Sequence, residues 1–186
     1  GICQENERKK MPQNTCKVRN INIFRRFQDM TRILFVCHGN ICRSPMAEFV
    51  MKDLVSRAGL DNQFHIESAA TSTEELGNPV YPPARRKLAE HGIKCDGKTS
   101  RQLKKRDYNK FDLLIGMDQA NYRNIFRICG GDYEGKINLL LEFAGRPQAE
   151  VADPWYTGDF ETTWQDVLAG CQGILREIQK SRGNGN

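Results

Sequence analysis

From Ile33 through Val36 the chain runs Ile-Leu-Phe-Val without a polar break, and the run from Arg32 closes at Cys37. A short, continuous apolar run of this kind predicts a parallel strand buried on both faces. After a glycine-containing turn, Ala47, Val50, Met51, Leu54, Val55 and Ala58 fall on one face of a helix that stops at Gly59. The unit is strand, tight loop, helix.

Further along, residues 63–69 alternate as a short strand, and residues 77–92 carry turn residues and then prolines suited to a first helical turn, with a stop at Gly92. The spacing predicts a brief helix over 100–108, a third strand over 111–117, a helix over 119–128 with Asp118 as its N-cap, and a fourth strand over 136–141. Residues 160–180 present Phe160, Trp164, Val167, Leu168, Cys171, Leu175 and Ile178 as a helical stripe. Strands alternating with helices imply an α/β fold, a four-stranded parallel sheet covered on both sides in three layers. Ligands in such folds bind outside the carboxyl ends of the strands, and the loop after the first strand lies there.

Composition bounds the class. The chain has 186 residues, 39% hydrophobic and 27% charged, which suits one soluble globular domain, placed here at residues 30–182 with 183–186 a disordered tail. No apolar stretch approaches the ~20 residues that a membrane-spanning helix needs. Seven cysteines are scattered without a CxxC pair and no secretory segment precedes them, so reduced thiols and a cytoplasmic location are expected. The same scatter, with three histidines, argues against a structural zinc site, and no metal is expected.

Charge is unevenly placed. Residues 1–29 hold Arg8, Lys9, Lys10, Lys17, Arg19, Arg25 and Arg26 against Glu5, Glu7 and Asp29, so +4 of the net +5 lies there. A nucleic-acid partner suggested by the high pI would rest on that arm alone, and none is expected. The arm has low hydrophobicity and no useful period, and Met30 directly before the first strand reads as a natural start. The arm is therefore expected to be a disordered upstream extension. The alternative is a basic arm that touches anionic lipid or a partner through Ile21–Phe27.

The loop after strand one carries the candidate chemistry. Between Cys37 and Arg43 only a tight arc fits, and Gly39 and Asn40 are the types that best tolerate a left-handed backbone. Successive N–H groups in such an arc make an anion nest, to which the helix starting near Ser44 adds its positive end. Arg43 can pair two phosphoryl oxygens with its planar fork. The same field favours the thiolate form of Cys37, to which Ser44 can donate a hydrogen bond. Far along the chain, Asp153 opens "DPWY" in a loop after the fourth strand, at the same sheet edge. It could protonate a departing phenolate and then activate water, while Trp155 and Tyr156 wall a slot for a phenyl ring.

These residues together resemble the low-molecular-weight protein tyrosine phosphatase family. The resemblance spans Met30 to about Lys180: "VCHGNICRSPMAE" (36–48) matches the phosphate loop, "ESAATS" and "GNPVYPPA" the segment after strand two, "RQL" and "FDLLIGMDQAN" the middle, and "DPWYTG" the general-acid loop. It implies hydrolysis of phosphotyrosine in proteins through a cysteinyl-phosphate intermediate, without a cofactor, and a loop that also binds inorganic phosphate or other oxyanions. By position Cys37 resembles the nucleophile, Arg43 the phosphate-binding arginine and Asp153 the general acid. Ser44 resembles the hydroxyl that stabilises the thiolate, and Asn40 the asparagine that holds the strained loop. His38, Gly39, Ile41 and Cys42 complete the binding loop, with Cys42 matching a cysteine able to form a reversible disulfide with Cys37.

Ile41 bears on the substrate. Related phosphoarginine enzymes carry threonine there, so isoleucine favours phosphotyrosine. Related arsenate reductases need two further cysteines close together, whereas Cys95 and Cys129 lie far apart. The chain also departs from the family. Lys98 stands where many members have a histidine that supports the loop, a change expected to affect those hydrogen bonds and the pH profile. Glu74 and Glu75 occupy a segment that often presents an aromatic, an acidic rim that favours basic or neutral substrates. Ala70 replaces a common glycine. A phosphotyrosine-binding or redox-sensing module is the competing reading, and retention of cysteine, arginine and acid together counts against it.

Overall fold

The computed structural model describes residues 30–183, so the expectations for residues 1–29 and 184–186 lie outside the described residues. In chain order the elements are β1 (Thr31–Cys37), α1 (Arg43–Arg57), β2 (Phe64–Ala70), α2 (Pro82–Glu90), α3 (Asp107–Lys110), β3 (Leu113–Gly116), α4 (Gln119–Cys129), β4 (Ile137–Leu139), α5 (Pro154–Thr157) and α6 (Phe160–Gly183). The strands form one parallel sheet in the order β2-β1-β3-β4.

The unbroken apolar run of β1 follows from its central position. Ile33, Phe35 and Cys37 pack on one face with Met46, Ala47, Val50, Trp164 and Ile174. Leu34 and Val36 pack on the other with Leu103, Phe111, Leu114 and Ile125. With alternate side chains sent into two cores, neither face can be polar. Helices α1, α2 and α6 cover the first face and α4 the second, which makes three layers.

Three elements differ from the sequence expectation. The helix expected over 100–108 is confined to Asp107–Lys110. Before it the backbone is extended, because Ala70 donates to the Arg101 carbonyl (2.7 Å) and Leu103 donates to that of Ala70 (2.8 Å), which pairs this stretch in parallel with the last residue of β2. The fourth strand stops at Leu139 rather than 141, and Leu140–Ala144 turns into a 3-10 helix. That turn lies against Gly170 and Gly173 of α6, where an added Cβ would come within 2.4 Å of the Leu140 side chain and 1.9 Å of the Phe143 carbonyl oxygen. The buried face of α6 therefore includes these two glycines and Ile174, beyond the large residues of the stripe, and the helix runs on to Gly183.

The topology brings the carboxyl ends of β1 and β3 together. Cys37 and the residues that follow Gly116 lie at one edge, where Val151 donates to the Met117 carbonyl (2.9 Å) and brings the 151–156 segment in beside them.

Candidate active site

The arc from Cys37 to Arg43 is tied down from outside. The carbonyls of Cys37, His38, Ile41 and Cys42 accept from the N–H groups of Thr71, Ser72, Tyr81 and Met46, and the Ser100 hydroxyl donates to that of Gly39 (2.8 Å). A peptide's N–H points away from its carbonyl, so this ring of outward carbonyls leaves amides for the concave side. At the end of the arc α1 begins at Arg43, where no side chain among the described residues caps its N-terminus and its positive end faces the arc.

Asn40 alone among the described non-glycine residues has positive φ, at 58°. Gly39, paired with it in the expectation, does not, and its role is space: a Cβ there would lie 3.3 Å from Cγ of Glu75. The Asn40 amide secures the strained residue. Its Nδ2 donates to Ser44 Oγ (2.7 Å) and Ser68 Oγ (2.8 Å), and its Oδ1 accepts from the Arg101 N–H (3.3 Å).

Cys37 is buried beneath the arc. Its Sγ accepts from the Asn40 N–H (3.3 Å) and lies 3.0 Å from Ser44 Oγ. Cys42 is buried too, and burial, with repulsion from Cys37 next, pushes its thiol up to about 12. Both cysteines are free.

Arg43 is 3% exposed and held by three groups. One terminal nitrogen donates to Asp118 Oδ2 (2.7 Å) and the Val151 carbonyl (3.0 Å), and the other to Asp153 Oδ2 (3.3 Å). Burial opposes the charge, but Cys37 and the two carboxylates outweigh it and raise its pKa. Asp118 is the N-cap expected from sequence, with Oδ1 accepting from the Asn121 N–H (2.7 Å). Its second oxygen steers the arginine, in keeping with the minor active-site role that the strand-end position of Asp118 suggests from sequence alone. Asp153 similarly caps α5, accepting from the Trp155 N–H (3.1 Å), while its other oxygen faces Arg43.

One pocket gathers the expected residues: Cys37, His38, Gly39, Ile41, Cys42, Arg43, Asp153, Trp155 and Tyr156 all line it. Asn40 and Ser44 lie behind the wall, where they support it rather than face a ligand. Glu74 and Glu75 form the opposite rim, and His38 Nε2 lies 3.0 Å from Glu74. Trp155 is half exposed and packs on Tyr81, ring centroids 4.8 Å apart. Tyr81 was not singled out from sequence; its N–H anchors Ile41 while its ring props the tryptophan, and a lone aromatic before two prolines gave no sign of either.

A nest of amides, a buried thiol, a clamped arginine and a carboxyl under an aromatic wall suit transfer of a phosphoryl group from an aryl oxygen to sulfur. Comparison with known proteins points to protein tyrosine phosphatases. Residues 32–184 match the family model described as low molecular weight phosphotyrosine protein phosphatase. The chain is 38% identical over 154 residues to the low molecular weight protein-tyrosine-phosphatase YfkJ of Bacillus subtilis, covering 82% of this chain and 99% of that one. The crystal structure of YfkJ superposes with a TM-score of 0.78 over 81% of this chain and 96% of its own. SP-PTP, a low molecular weight protein tyrosine phosphatase from Streptococcus pyogenes, is 45% identical with a TM-score of 0.70, covering 79% and 92%. The low molecular weight phosphotyrosine protein phosphatase of Gallus gallus is 37% identical over 153 residues, covering 80% and 96%.

Proposed function

The chain belongs to the low molecular weight phosphotyrosine protein phosphatase family and is a phosphoric monoester hydrolase, and from that premise we propose that it hydrolyses phosphotyrosine in proteins through a cysteinyl-phosphate intermediate. The observation that carries this reading is the convergence of Cys37, Arg43 and Asp153 in one pocket, with Arg43 bonded to Asp153 across it.

In the first step the phosphoryl group sits in the arc with its oxygens on the loop amides and the Arg43 fork. The Cys37 thiolate attacks phosphorus in line, the bond from phosphorus to the tyrosyl oxygen breaks, and Asp153 gives its proton to the departing phenolate. In the second step the Asp153 carboxylate takes a proton from water, the water oxygen attacks phosphorus, and the sulfur–phosphorus bond breaks. Phosphate and the thiolate are released. Asp118 and the Val151 carbonyl keep the fork oriented throughout, so the donors are in place before charge develops. Ile41 and the wall of Trp155, Tyr81 and Tyr156 favour an aryl ester.

The test is a panel of phosphotyrosine, phosphoserine and phosphoarginine peptides with wild type and Cys37→Ser. Turnover confined to phosphotyrosine and abolished by Cys37→Ser, with vanadate still bound, is the expected outcome. An active Cys37→Ser enzyme would end the mechanism, and negligible wild-type turnover with tight binding would favour a binding module.

A further inference from the structure

The face of the molecule covered by α4 carries positive charge that the pocket does not use. Between Leu103 and Lys136 the chain holds seven basic residues and five carboxylates. The carboxylates are directed inward or paired. Asp107 accepts from Arg101 (3.2 Å), Asp112 from the Arg32 N–H (2.7 Å), Asp118 from Arg43 (2.7 Å) and Asp132 from the Tyr108 hydroxyl (2.8 Å), while Glu134 pairs with Lys136 (2.9 Å). Lys110 is taken up by Glu67 (3.2 Å). Lys104, Lys105, Arg106, Arg123 and Arg127 remain, all exposed, and no carboxylate among the described residues pairs with any of them.

These five cations share one surface. Leu103 and Tyr108 pack in the same core cluster as Ile125 and Cys129, which lays the 104–106 turn beside the carboxyl-terminal half of α4. A Cβ at Gly130, just past the last turn of that helix, would lie 3.5 Å from Lys105 Cε. Arg123, Phe126 and Arg127, spaced i, i+3 and i+4, are neighbours on the helix surface. Phe126 is 46% and Tyr133 84% exposed, and the Tyr133 hydroxyl donates to the Gly130 carbonyl (2.6 Å), which holds its ring at the end of α4. Two exposed rings thus stand among the cations.

We propose that this face docks on an anionic lipid bilayer, with the five cations against the headgroups and Phe126 and Tyr133 at the boundary of headgroup and acyl chain. A bilayer supplies both partners at once, fixed negative charge for the cations and an apolar layer beneath it for the rings. An acidic protein or a nucleic acid matches the charge alone. Residues 1–29, with a further +4, join the described chain at Met30, where β1 begins at the amino edge of the sheet. Tyr133 lies at that edge too, because its neighbour Asp132 accepts from the N–H groups of Lys136 (2.7 Å) and Ile137 (3.3 Å) at the start of β4. The basic segment therefore enters the fold where the patch ends, and peripheral binding needs two such signals. At its other end α4 starts beside the pocket, where its cap Asp118 holds Arg43, so docking through the aromatic end leaves the pocket open to solvent.

The experiment is cosedimentation of the full-length protein with vesicles of phosphatidylcholine alone or with about one third phosphatidylserine, at about 0.1 M and about 1 M salt. Wild type should bind the anionic vesicles at the lower salt, lose at least about tenfold at the higher, and leave phosphatidylcholine unbound. Lys105→Gln combined with Arg127→Gln should weaken binding about 25-fold, about fivefold for each cation near an anionic surface. Arg86→Gln combined with Lys94→Gln, the same charge change at exposed positions on and after α2, should stay within about twofold of wild type. Phe126→Ser should weaken binding about fivefold with no change in net charge. Thermal melts check that each variant folds.

Absence of wild-type binding to anionic vesicles would overturn the proposal. So would equal losses in the two double variants, which mark net charge alone, and wild-type binding in all the patch variants, which assigns the contact to residues 1–29. Phe126→Ser that binds as wild type does would replace the bilayer with an acidic macromolecule as the partner of this face.

Discussion

Cys42 follows Cys37 by five positions in the same arc, yet the two sulfurs face different surroundings. Cys37 receives hydrogen bonds from the Asn40 N–H and lies beside Ser44, whereas burial and the neighbouring Cys37 push Cys42 up to about 12. Burial raises Cys95 and Cys171 as well, and takes Cys129 up to about 11. Within residues 30–183, iodoacetate at about pH 7 should therefore label Cys37 first, and inorganic phosphate should protect it. Peptide mapping reads the outcome, and faster labelling of Cys42 would contradict the assignment. Single residues were unequally legible in the sequence. Cys37 and Arg43 stand out by their spacing and Asp153 by its Asp-Pro loop after the fourth strand, and the structure brings the three to one pocket. Gly39 was read for backbone freedom although its φ is not positive and what a side chain there would meet is Glu75, and Tyr81 was passed over because packing between distant segments leaves no local pattern.

At the scale of elements, α6 seats its glycines on the 3-10 turn after β4. By helix propensity alone, Gly173→Ala should stabilise by about 1 kcal/mol. The Cβ would instead meet the Phe143 backbone at 1.9–2.5 Å, so a net loss of about 1–3 kcal/mol is expected in chemical denaturation. A gain would mean that α6 is not seated there. On β2, Glu67 is penalised by burial, but hydrogen bonds from His65 and Lys110 and the charge of Arg101 hold it at about 2 against a usual 4.5. A carboxyl with a depressed folded pKa stabilises above its unfolded value and loses that contribution as pH falls. Glu67→Gln should thus lower the melting temperature at neutral pH, and the gap to wild type should close between about pH 4.5 and about pH 2. A gap that stays constant would remove Glu67 from this role. The strands and long helices were legible from periodicity. The brief helix expected over 100–108 was not formed there, because pairing with the end of β2 overrides local preference at Arg101–Leu103.

Over the whole molecule, parallel topology gathers a pocket from segments more than a hundred residues apart, since Cys37 and Tyr156 line the same cleft. The carboxyl-edge rule located that cleft from the sequence, and the resemblance marked Lys98 behind it, whereas Glu48 and Ser68, which Lys98 meets there, needed coordinates because they come from separate segments. Among the described residues, those lining the pocket all lie between 37 and 156. Removal of residues 1–29, read from the sequence as an upstream extension, should leave kcat and KM for p-nitrophenyl phosphate unchanged, and a large fall in either would give the basic arm a part in catalysis.

Asp153→Ala allows the central claim to be tested in one spectrum. With p-nitrophenyl phosphate the leaving group departs without much help, but hydrolysis of the phosphocysteine still needs a base, so the intermediate should accumulate. Intact-mass and peptide spectra of the quenched variant should carry one added phosphoryl group, located on Cys37. A phosphoryl group on another residue, or none on a variant that still releases nitrophenol in a burst, would contradict the account.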